Sequence, residues 1–126
     1  MSDQKSWEEI PLYRVVQSRS GDKGDAVDIS VFAPNEAIFE ALKTELTCEK
    51  VKAHFADYVK GDVSRYEIPN LLALKYVLKD ALGGGGSGSL RSDNLGKSMS
   101  ANLLRMKVKL PLEAASESIL FNRKGA

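Results

Sequence analysis

Val27-Asp28-Ile29-Ser30-Val31 is the stretch that decides the fold, because apolar and polar side chains alternate along it. An alternation with a period of two is typical of a strand that buries one face and exposes the other. The strand is predicted to end at Pro34. Upstream of it, the β-rich run Leu12–Gln17 predicts another strand, and the two runs could form a hairpin-like pair.

Three helices are predicted downstream of this strand. Asn35 can cap a helix that runs to about Leu46, and Thr47 can cap a second helix that Gly61 ends. The leucines of Pro69–Leu82 recur at helical spacing and predict the third helix.

Two further strands and a helical turn complete the predicted elements. The strands are Val63–Ile68 and Met106–Leu110, and the turn covers Ser98–Leu104. The order β-β-α-α-β-α-β predicts an α+β fold, in which a mostly antiparallel sheet carries helices on one face of a two-layer sandwich.

Length and composition predict one domain. The chain has 126 residues, of which 43% are hydrophobic, and this is enough for one ordinary core. We expect a single domain over residues 1–126, with its core in about 12–111 and flexible ends at 1–10 and 112–126.

Charge and cysteine content argue against several classes of protein. The formal net charge is only +1, which gives no basic surface for nucleic acid. No lysine-rich run points to a membrane surface, and no apolar run reaches the ~20 residues of a spanning helix. A single cysteine, Cys48, and a polar N-terminus fit a soluble cytoplasmic protein.

The first candidate for chemistry is Arg19-Ser20-Gly21-Asp22-Lys23-Gly24-Asp25, which is predicted to be a loop. Its two glycines allow a close approach of the backbone to a ligand. Arg19 and Lys23 could hold an anion, and Asp22 or Asp25 could act as a general base. The alternative is a solvated turn with internal ion pairs.

The second candidate is the glycine-rich segment Gly83–Lys97. Consecutive glycines expose backbone N–H groups that can form an anion-binding nest, to which Ser87, Ser89, Arg91 and Lys97 could add donors. The spacing does not match a phosphate-binding P-loop. A flexible linker is the alternative interpretation.

The remaining candidates are weaker. Arg65 and Glu67 should share one face of a strand that leads to Asn70, although a salt-bridged strand end explains the same pattern. His54 is the only histidine, and we expect it to be structural or exposed. Cys48 is expected to be an inert thiol. No metal site and no cofactor are predicted.

Together, the three polar segments resemble the small C-terminal domain of acyclic-terpene-utilisation (AtuA-like) proteins, which is described as ferredoxin-like. The likeness spans about Val15 to Pro111. The matching residues are Arg19, Ser20, Gly21, Asp22, Lys23, Gly24 and Asp25, then Arg65, Tyr66, Glu67, Pro69 and Asn70, then Gly83, Gly84, Gly85, Gly86, Ser89, Leu90, Arg91, Gly96 and Lys97. Lys75 departs from the pattern, because the resemblance leads us to expect a small polar amide there, in the predicted third helix.

The resemblance implies a ferredoxin-like sandwich and a pathway that degrades acyclic terpenes or branched acyl-CoA compounds. In that family the domain occurs fused to a larger domain and also alone. The residues expected to bind ligand are Arg19, Ser20, Gly21, Lys23, Gly24, Arg65, Glu67, Asn70, Gly84, Gly85, Gly86, Ser89, Arg91 and Lys97, with Asp22 and Asp25 as candidate catalytic carboxylates.

Three functions follow as hypotheses. The leading one is a small partner subunit that completes a shared site on a larger AtuA-like chain and binds an acyl-CoA or another anionic small molecule. The second is a self-sufficient hydratase or lyase acting on an acyl thioester. The third is a structural homo-oligomerisation domain. Whether the chain is an enzyme by itself stays open in the sequence.

Overall fold

The computed structural model describes residues 7–23, 26–56, 59, 61–80 and 99–121. Helix α3 covers residues 99–103. The other helices are α1 (Glu36–Glu45), α2 (Cys48–His54) and α4 (Leu112–Ala115), and 3-10 turns cover Leu12–Arg14 and Pro69–Leu71. The strands are β1 (Trp7–Pro11), β2 (Gln17–Lys23), β3 (Ala26–Phe32), β4 (Val63–Ile68), β5 (Ala73–Leu78) and β6 (Lys107–Pro111).

The main sheet has four strands in the order β2-β3-β5-β4, and every neighbouring pair is antiparallel. Strands β3 and β4 therefore run parallel to each other, are joined through α1 and α2, and have β5 inserted between them. This is the split β-α-β arrangement of ferredoxin-like folds. The edge position beside β3 is filled by β2, which precedes it in the chain. The predicted α+β, ferredoxin-like class is confirmed.

The core lies between one face of this sheet and the helices. From β3, Val27, Ile29 and Val31 are fully buried, as are Leu78, Tyr76 and Leu74, which lie opposite them on β5. The buried side chains of α1 and α2 belong to the same cluster; they are Ile38, Phe39, Ala41, Leu42 and Val51. Burial of such side chains contributes roughly 1.5–3 kcal/mol each.

The predicted starts of the first two helices are confirmed by their caps. Asn35 Oδ1 accepts a hydrogen bond from the backbone N–H of Ile38 at 3.0 Å. The Thr47 hydroxyl accepts one from the backbone N–H of Lys50 at 3.2 Å. Each bond satisfies one of the unpaired donors of a helix first turn. Helix α2 ends at His54, earlier than the predicted end at Gly61.

A second, two-stranded sheet joins the two ends of the chain. Strands β1 and β6 pair from Trp7↔Pro111 to Pro11↔Lys107. The backbone N–H of Lys109 donates to Glu45 Oε1 at 3.2 Å, which ties β6 to α1. Residues 7–10, which the sequence analysis assigned to a flexible end, form most of β1.

Residues 112–121, also predicted as part of a flexible end, lie against the core. The Ser118 side chain is buried, and its hydroxyl donates to Val15 O at 2.8 Å. Asn35 Nδ2 donates to Ala114 O at 3.0 Å. Arg14 Nη2 donates to Phe121 O at 3.1 Å, and the guanidinium lies 4.4 Å from the centre of the Phe121 ring. These contacts link the C-terminal segment to the start of α1 and of β2.

The predicted third helix, Pro69–Leu82, is wrong over most of its described length. Residues 69–71 form a 3-10 turn, and Ala73–Leu78 is β5, an inner strand of the sheet. The alternate residues Leu74, Tyr76 and Leu78 face the core, so the segment also satisfies a period of two. Hydrogen bonding to strands on both sides decides between the two patterns.

The loop predicted over Arg19–Asp25 is also wrong for Arg19 to Lys23, because these residues belong to strand β2. Residues Gln17–Lys23 pair with β3 over their whole length, ending at Lys23↔Ala26. Only Gly24 and Asp25, outside the described residues, separate that last pair, as in the shortest hairpins. The strand predicted at Leu12–Gln17 is instead a 3-10 turn at Leu12–Arg14, followed by β2 from Gln17 onward.

Replacing Gly61 should destabilise the fold. A Cβ atom there would lie 2.8 Å from Lys79 O and 2.9 Å from Asp80 Oδ2. Backbone bonds of 3.0 Å from Gly61 to Lys79 and from Lys79 to Asp62 hold these segments together. We expect Gly61→Ala to lower the unfolding free energy by about 1–3 kcal/mol. Chemical denaturation measures it.

Gly21→Ala is the matched control for this measurement. A Cβ atom at Gly21 would meet only the Asp28 carboxylate, at 3.1 Å, and that side chain can move. If Gly61→Ala lowered the unfolding free energy by no more than Gly21→Ala does, the close approach of Gly61 to Lys79 and Asp80 would be contradicted.

Candidate functional site

No helix among the described residues covers the side of the main sheet that is turned away from the core cluster, and we call this side the open face. Successive side chains of a strand point to opposite faces of the sheet, so every second residue of each strand belongs to this face. They are Gln17, Arg19 and Gly21 on β2, Asp28, Ser30 and Phe32 on β3, Ala73, Lys75 and Val77 on β5, and Ser64, Tyr66 and Ile68 on β4. Among the described side chains of these strands, the core cluster takes only those of the opposite face.

Strand register arranges the open face in three rows that cross the sheet. The first row is Gln17, Phe32, Ala73 and Ile68, and it is mostly apolar. The middle row is Arg19, Ser30, Lys75 and Tyr66. The third row is Gly21, Asp28, Val77 and Ser64. The face therefore changes from apolar at one end to charged toward the β2–β3 turn.

The apolar row is a small cluster of its own. Ala73 is only 1% exposed, although it lies outside the core cluster. Its register neighbours on the two flanking strands are Phe32 and Ile68, which are half-buried. Side chains on adjacent strands are close enough to cover a residue as small as alanine. Tyr66, in the next row, is 55% exposed.

An ion pair links the middle and third rows. Lys75 Nζ lies 3.3 Å from Asp28 Oδ2, and the two side chains are 41% and 40% exposed. Gly21 lies opposite Asp28, so its missing side chain leaves room for the carboxylate. An ion pair this exposed adds little stability. Its effect is to set the charge pattern of the face. Lys75 is the residue that departs from the family pattern, and this ion pair gives it a partner, Asp28, on the neighbouring strand β3.

Arg65 lies on the other side of the sheet and holds the end of a helix. Its Nη1 donates to Lys43 O at 2.8 Å and to Leu46 O at 3.4 Å, and its Nη2 lies 3.4 Å from Glu67 Oε2. The hydroxyl of Tyr76 also donates to Leu46 O, at 2.5 Å. These donors satisfy carbonyl groups that the end of α1 leaves unpaired.

The structure separates the predicted site residues into groups. Arg19 and Gly21 lie on the open face, while Ser20 lies on the helix side of β2. Asp22 and Lys23 continue β2, where they pair with Val27 and Ala26. The predicted site residues outside the described part of the chain are Gly24, Asp25, Gly84, Gly85, Gly86, Ser89, Arg91 and Lys97.

The predicted site residues Arg65, Glu67 and Asn70 lie at the β4 edge of the sheet, opposite the β2 edge that carries Arg19. Arg65 and Glu67 share the helix side of β4, as predicted, and Asn70 lies in the 3-10 turn that follows. Because β3 and β5 separate β4 from β2, the two edge strands are roughly 14 Å apart. The structure therefore does not bring Arg65, Glu67 and Asn70 together with Arg19.

The described residues on either side of the glycine-rich segment Gly83–Lys97 lie near the segment Arg19–Asp25. On one side, Leu78 at the end of β5 pairs with Val27, close to the β2–β3 turn. On the other side, the Ser100 hydroxyl donates to the Ser18 hydroxyl on β2 at 3.1 Å. Both flanks of residues 81–98 therefore adjoin the β2–β3 hairpin.

Several residues of the open face are not among the predicted site residues. In the sequence, Asp28 and Ser30 are only the polar half of the alternation in β3, and Lys75 falls in the predicted third helix. Only the register between β3 and β5 shows that Lys75 and Asp28 are neighbours.

His54 is exposed, and its Nε2 lies 3.0 Å from Asn102 Oδ1 and 3.1 Å from Asn102 O. Because both contacts are oxygens, the ring N–H donates and connects α2 with α3.

Over the described ranges, no group of three or more His, Cys, Asp or Glu residues is placed to hold a metal ion. No helix in the same ranges is long and apolar enough to cross a membrane.

The sheet order, the helices on one face and the open second face define a small ferredoxin-like α+β domain. The family described as the AtuA ferredoxin-like domain matches residues 10–109, and the chain belongs to this family. The resemblance in the sequence is therefore confirmed. No curated protein and no solved structure matches the chain.

The hydroxyl of Tyr76 predicts how stability depends on pH. Burial raises its pKa above the ordinary value of 10.0, and nearby Arg65 opposes part of that rise. The folded state thus holds this proton more tightly than the unfolded state, so stability is lost as pH rises beyond about 10. We expect the unfolding free energy to fall by up to about 1.4 kcal/mol per pH unit there.

Tyr76→Phe is the control for this titration. It removes the hydroxyl but keeps the ring in the core, so the variant should lose this component of the slope. Denaturation of both proteins between pH 8 and 11 gives the difference. Equal slopes for the two proteins would contradict a buried, protonated Tyr76.

Proposed function

We propose that this chain is the small partner subunit of a larger AtuA-like chain and docks to it through the open face. The observation that carries the proposal is that helices cover one side of the four-stranded sheet, while the other side presents the half-buried Phe32 and Ile68 and the exposed Tyr66. An antiparallel sheet can expose one face to water, but such faces are usually polar. An exposed tyrosine next to half-buried apolar side chains favours a protein contact.

The charges on this face suit a contact surface. Lys75 and Asp28 form an ion pair with each other, so covering this pair does not bury a lone charge. Arg19 lies at the edge of the face on β2, where an arginine can reach groups on a partner. Tyrosine and arginine are among the residue types that are enriched at the energetic centres of interfaces.

The proposed subunit also contributes an anion site near the β2–β3 hairpin. Arg19, Lys23, Arg91 and Lys97 are its proposed anion contacts, and Asp22 or Asp25 is the proposed proton-transfer group. Support comes from the positions of Leu78 and Ser100, which bring both flanks of residues 81–98 to this hairpin. The proposed ligand is an acyl-CoA or another anionic small molecule of acyclic terpene or branched acyl-CoA catabolism, in the cytoplasm.

A second copy of this chain is the alternative partner. The open face carries both members of an opposite-charge pair, Asp28 and Lys75, so two copies could exchange these contacts across a two-fold axis. The same experiment separates the two partners, because it reports which chain is bound.

Co-expression of the tagged chain with a larger AtuA-like chain from the same cell tests the proposal. We expect the two to co-purify in a fixed ratio. Tyr66→Asp should weaken the complex at least tenfold, because it places a charge in the proposed contact. Tyr13→Asp is the matched control: Tyr13 is 52% exposed and Tyr66 55%, but Tyr13 lies in a 3-10 turn outside the open face.

The outcomes are distinct. A complex that Tyr66→Asp and Tyr13→Asp weaken equally would overturn docking through the open face. A free monomer that ignores the larger chain would overturn the partner-subunit function. A homodimer that Tyr66→Asp dissociates would replace it with the alternative.

A further inference from the structure

A groove of about 370 Å³ lies at the apolar end of the open face. One wall is formed by Phe32 and Pro34, where β3 ends, and the other by Ile119 and Leu120 of the C-terminal segment. Val15, which is buried, also lines it. This volume is at the small end of the range for ligand sites in proteins. The groove therefore suits a small ligand with an apolar body.

Hydrogen bonds connect the C-terminal wall of the groove to the rest of the domain. The wall from the C-terminal segment is held by the buried Ser118 hydroxyl, which donates to Val15 O at 2.8 Å and accepts from the backbone N–H of Leu120 at 3.2 Å. Ile119, between these bonded residues, is 79% exposed. An apolar side chain held at the rim in this way can cover a bound hydrocarbon chain.

The groove lies next to the charged part of the open face. Gln17 lines the groove and shares its strand face with Arg19, two residues further along β2. Two residues of a strand span roughly 7 Å. Arg19 lies in the same row as Ser30 and Lys75, so donors follow directly after the apolar end of the face.

The charges around the groove favour an anionic head group at Arg19. The Glu117 carboxylate, on the groove wall, keeps its negative charge while it accepts a hydrogen bond from Asn35 Nδ2 at 3.1 Å, so it disfavours a second carboxylate in the groove itself. The Asp28 carboxylate already pairs with Lys75. Arg19 is exposed, and no carboxylate among the side chains that the structure describes forms an ion pair with it. A planar guanidinium matches a carboxylate in geometry and in charge.

The geometry points to a binding site for a monocarboxylate with a short apolar chain, with the chain in the groove and the carboxylate at Arg19. The inference rests on the proposed function only in using Arg19 as an anion contact. It adds the apolar half of the ligand and the C-terminal segment that holds it.

An NMR titration of the full-length chain with hexanoate, hexan-1-ol and acetate tests this site. We expect hexanoate to shift the amide signals of Gln17, Phe32, Ile119 and Leu120 in a saturable way. Hexan-1-ol should shift the same signals with several-fold weaker affinity, because it lacks the charge. Acetate should bind more weakly than hexanoate, because it lacks the chain.

Three variants assign the two halves of the site. Arg19→Gln should weaken hexanoate binding about tenfold and leave hexan-1-ol binding unchanged. Ile119→Ser should weaken both ligands, because it removes an apolar wall. Tyr66→Ser is the matched control, since Tyr66 is also exposed but lies on β4, three strands away from Arg19, and it should change neither.

Three results would overturn the inference: no saturable shift with hexanoate, shifts that lie outside the groove, or equal hexanoate affinity in the wild type and Arg19→Gln. The titration requires no partner chain. Failure to bind hexanoate therefore leaves docking of a larger chain intact, and loss of docking in Tyr66→Asp leaves the groove intact.

Discussion

The rest of the structure depends on the pairing of β5 with a strand on each side. Val27, Ile29 and Val31 on β3 lie opposite Leu78, Tyr76 and Leu74 on β5, and β4 pairs with the other edge of β5. Successive side chains of any strand point to opposite faces of the sheet, and hydrogen bonds on both edges hold β5 in this extended conformation. This alternation sends one set of residues to the core and leaves Lys75 and Val77 on the open face.

The two faces of the sheet have different roles as a result. On the helix side, Tyr76 and Arg65 donate to carbonyl groups at the end of α1, so the sheet and that helix are joined by buried and half-buried polar contacts. On the open side, the Asp28–Lys75 pair and the apolar row around Ala73 lie next to each other without a covering helix among the described residues. The proposed partner contact and the proposed ligand site both use this second face.

The sequence predicted the elements whose pattern is local. The strand at Val27–Val31, the caps Asn35 and Thr47, and the strand Val63–Ile68 need only neighbouring residues to be recognised, and the family signature was confirmed. The segment 69–82 was misassigned because its leucines fit a helix, while Leu74, Tyr76 and Leu78 fit a strand. Pairing with distant strands decided between them. The open face was not predictable, since it depends on register between segments about 45 residues apart.

The most direct test of this account is the backbone conformation of residues 73–78 in solution, measured by NMR. The account predicts cross-strand contacts between backbone protons for pairs such as Ile29↔Tyr76 and Arg65↔Tyr76, and slow amide exchange along the segment. A helical pattern of contacts between residues three and four apart over 69–82 would contradict it. In that case the sheet would lose β5, one of its two inner strands, and with it the open face.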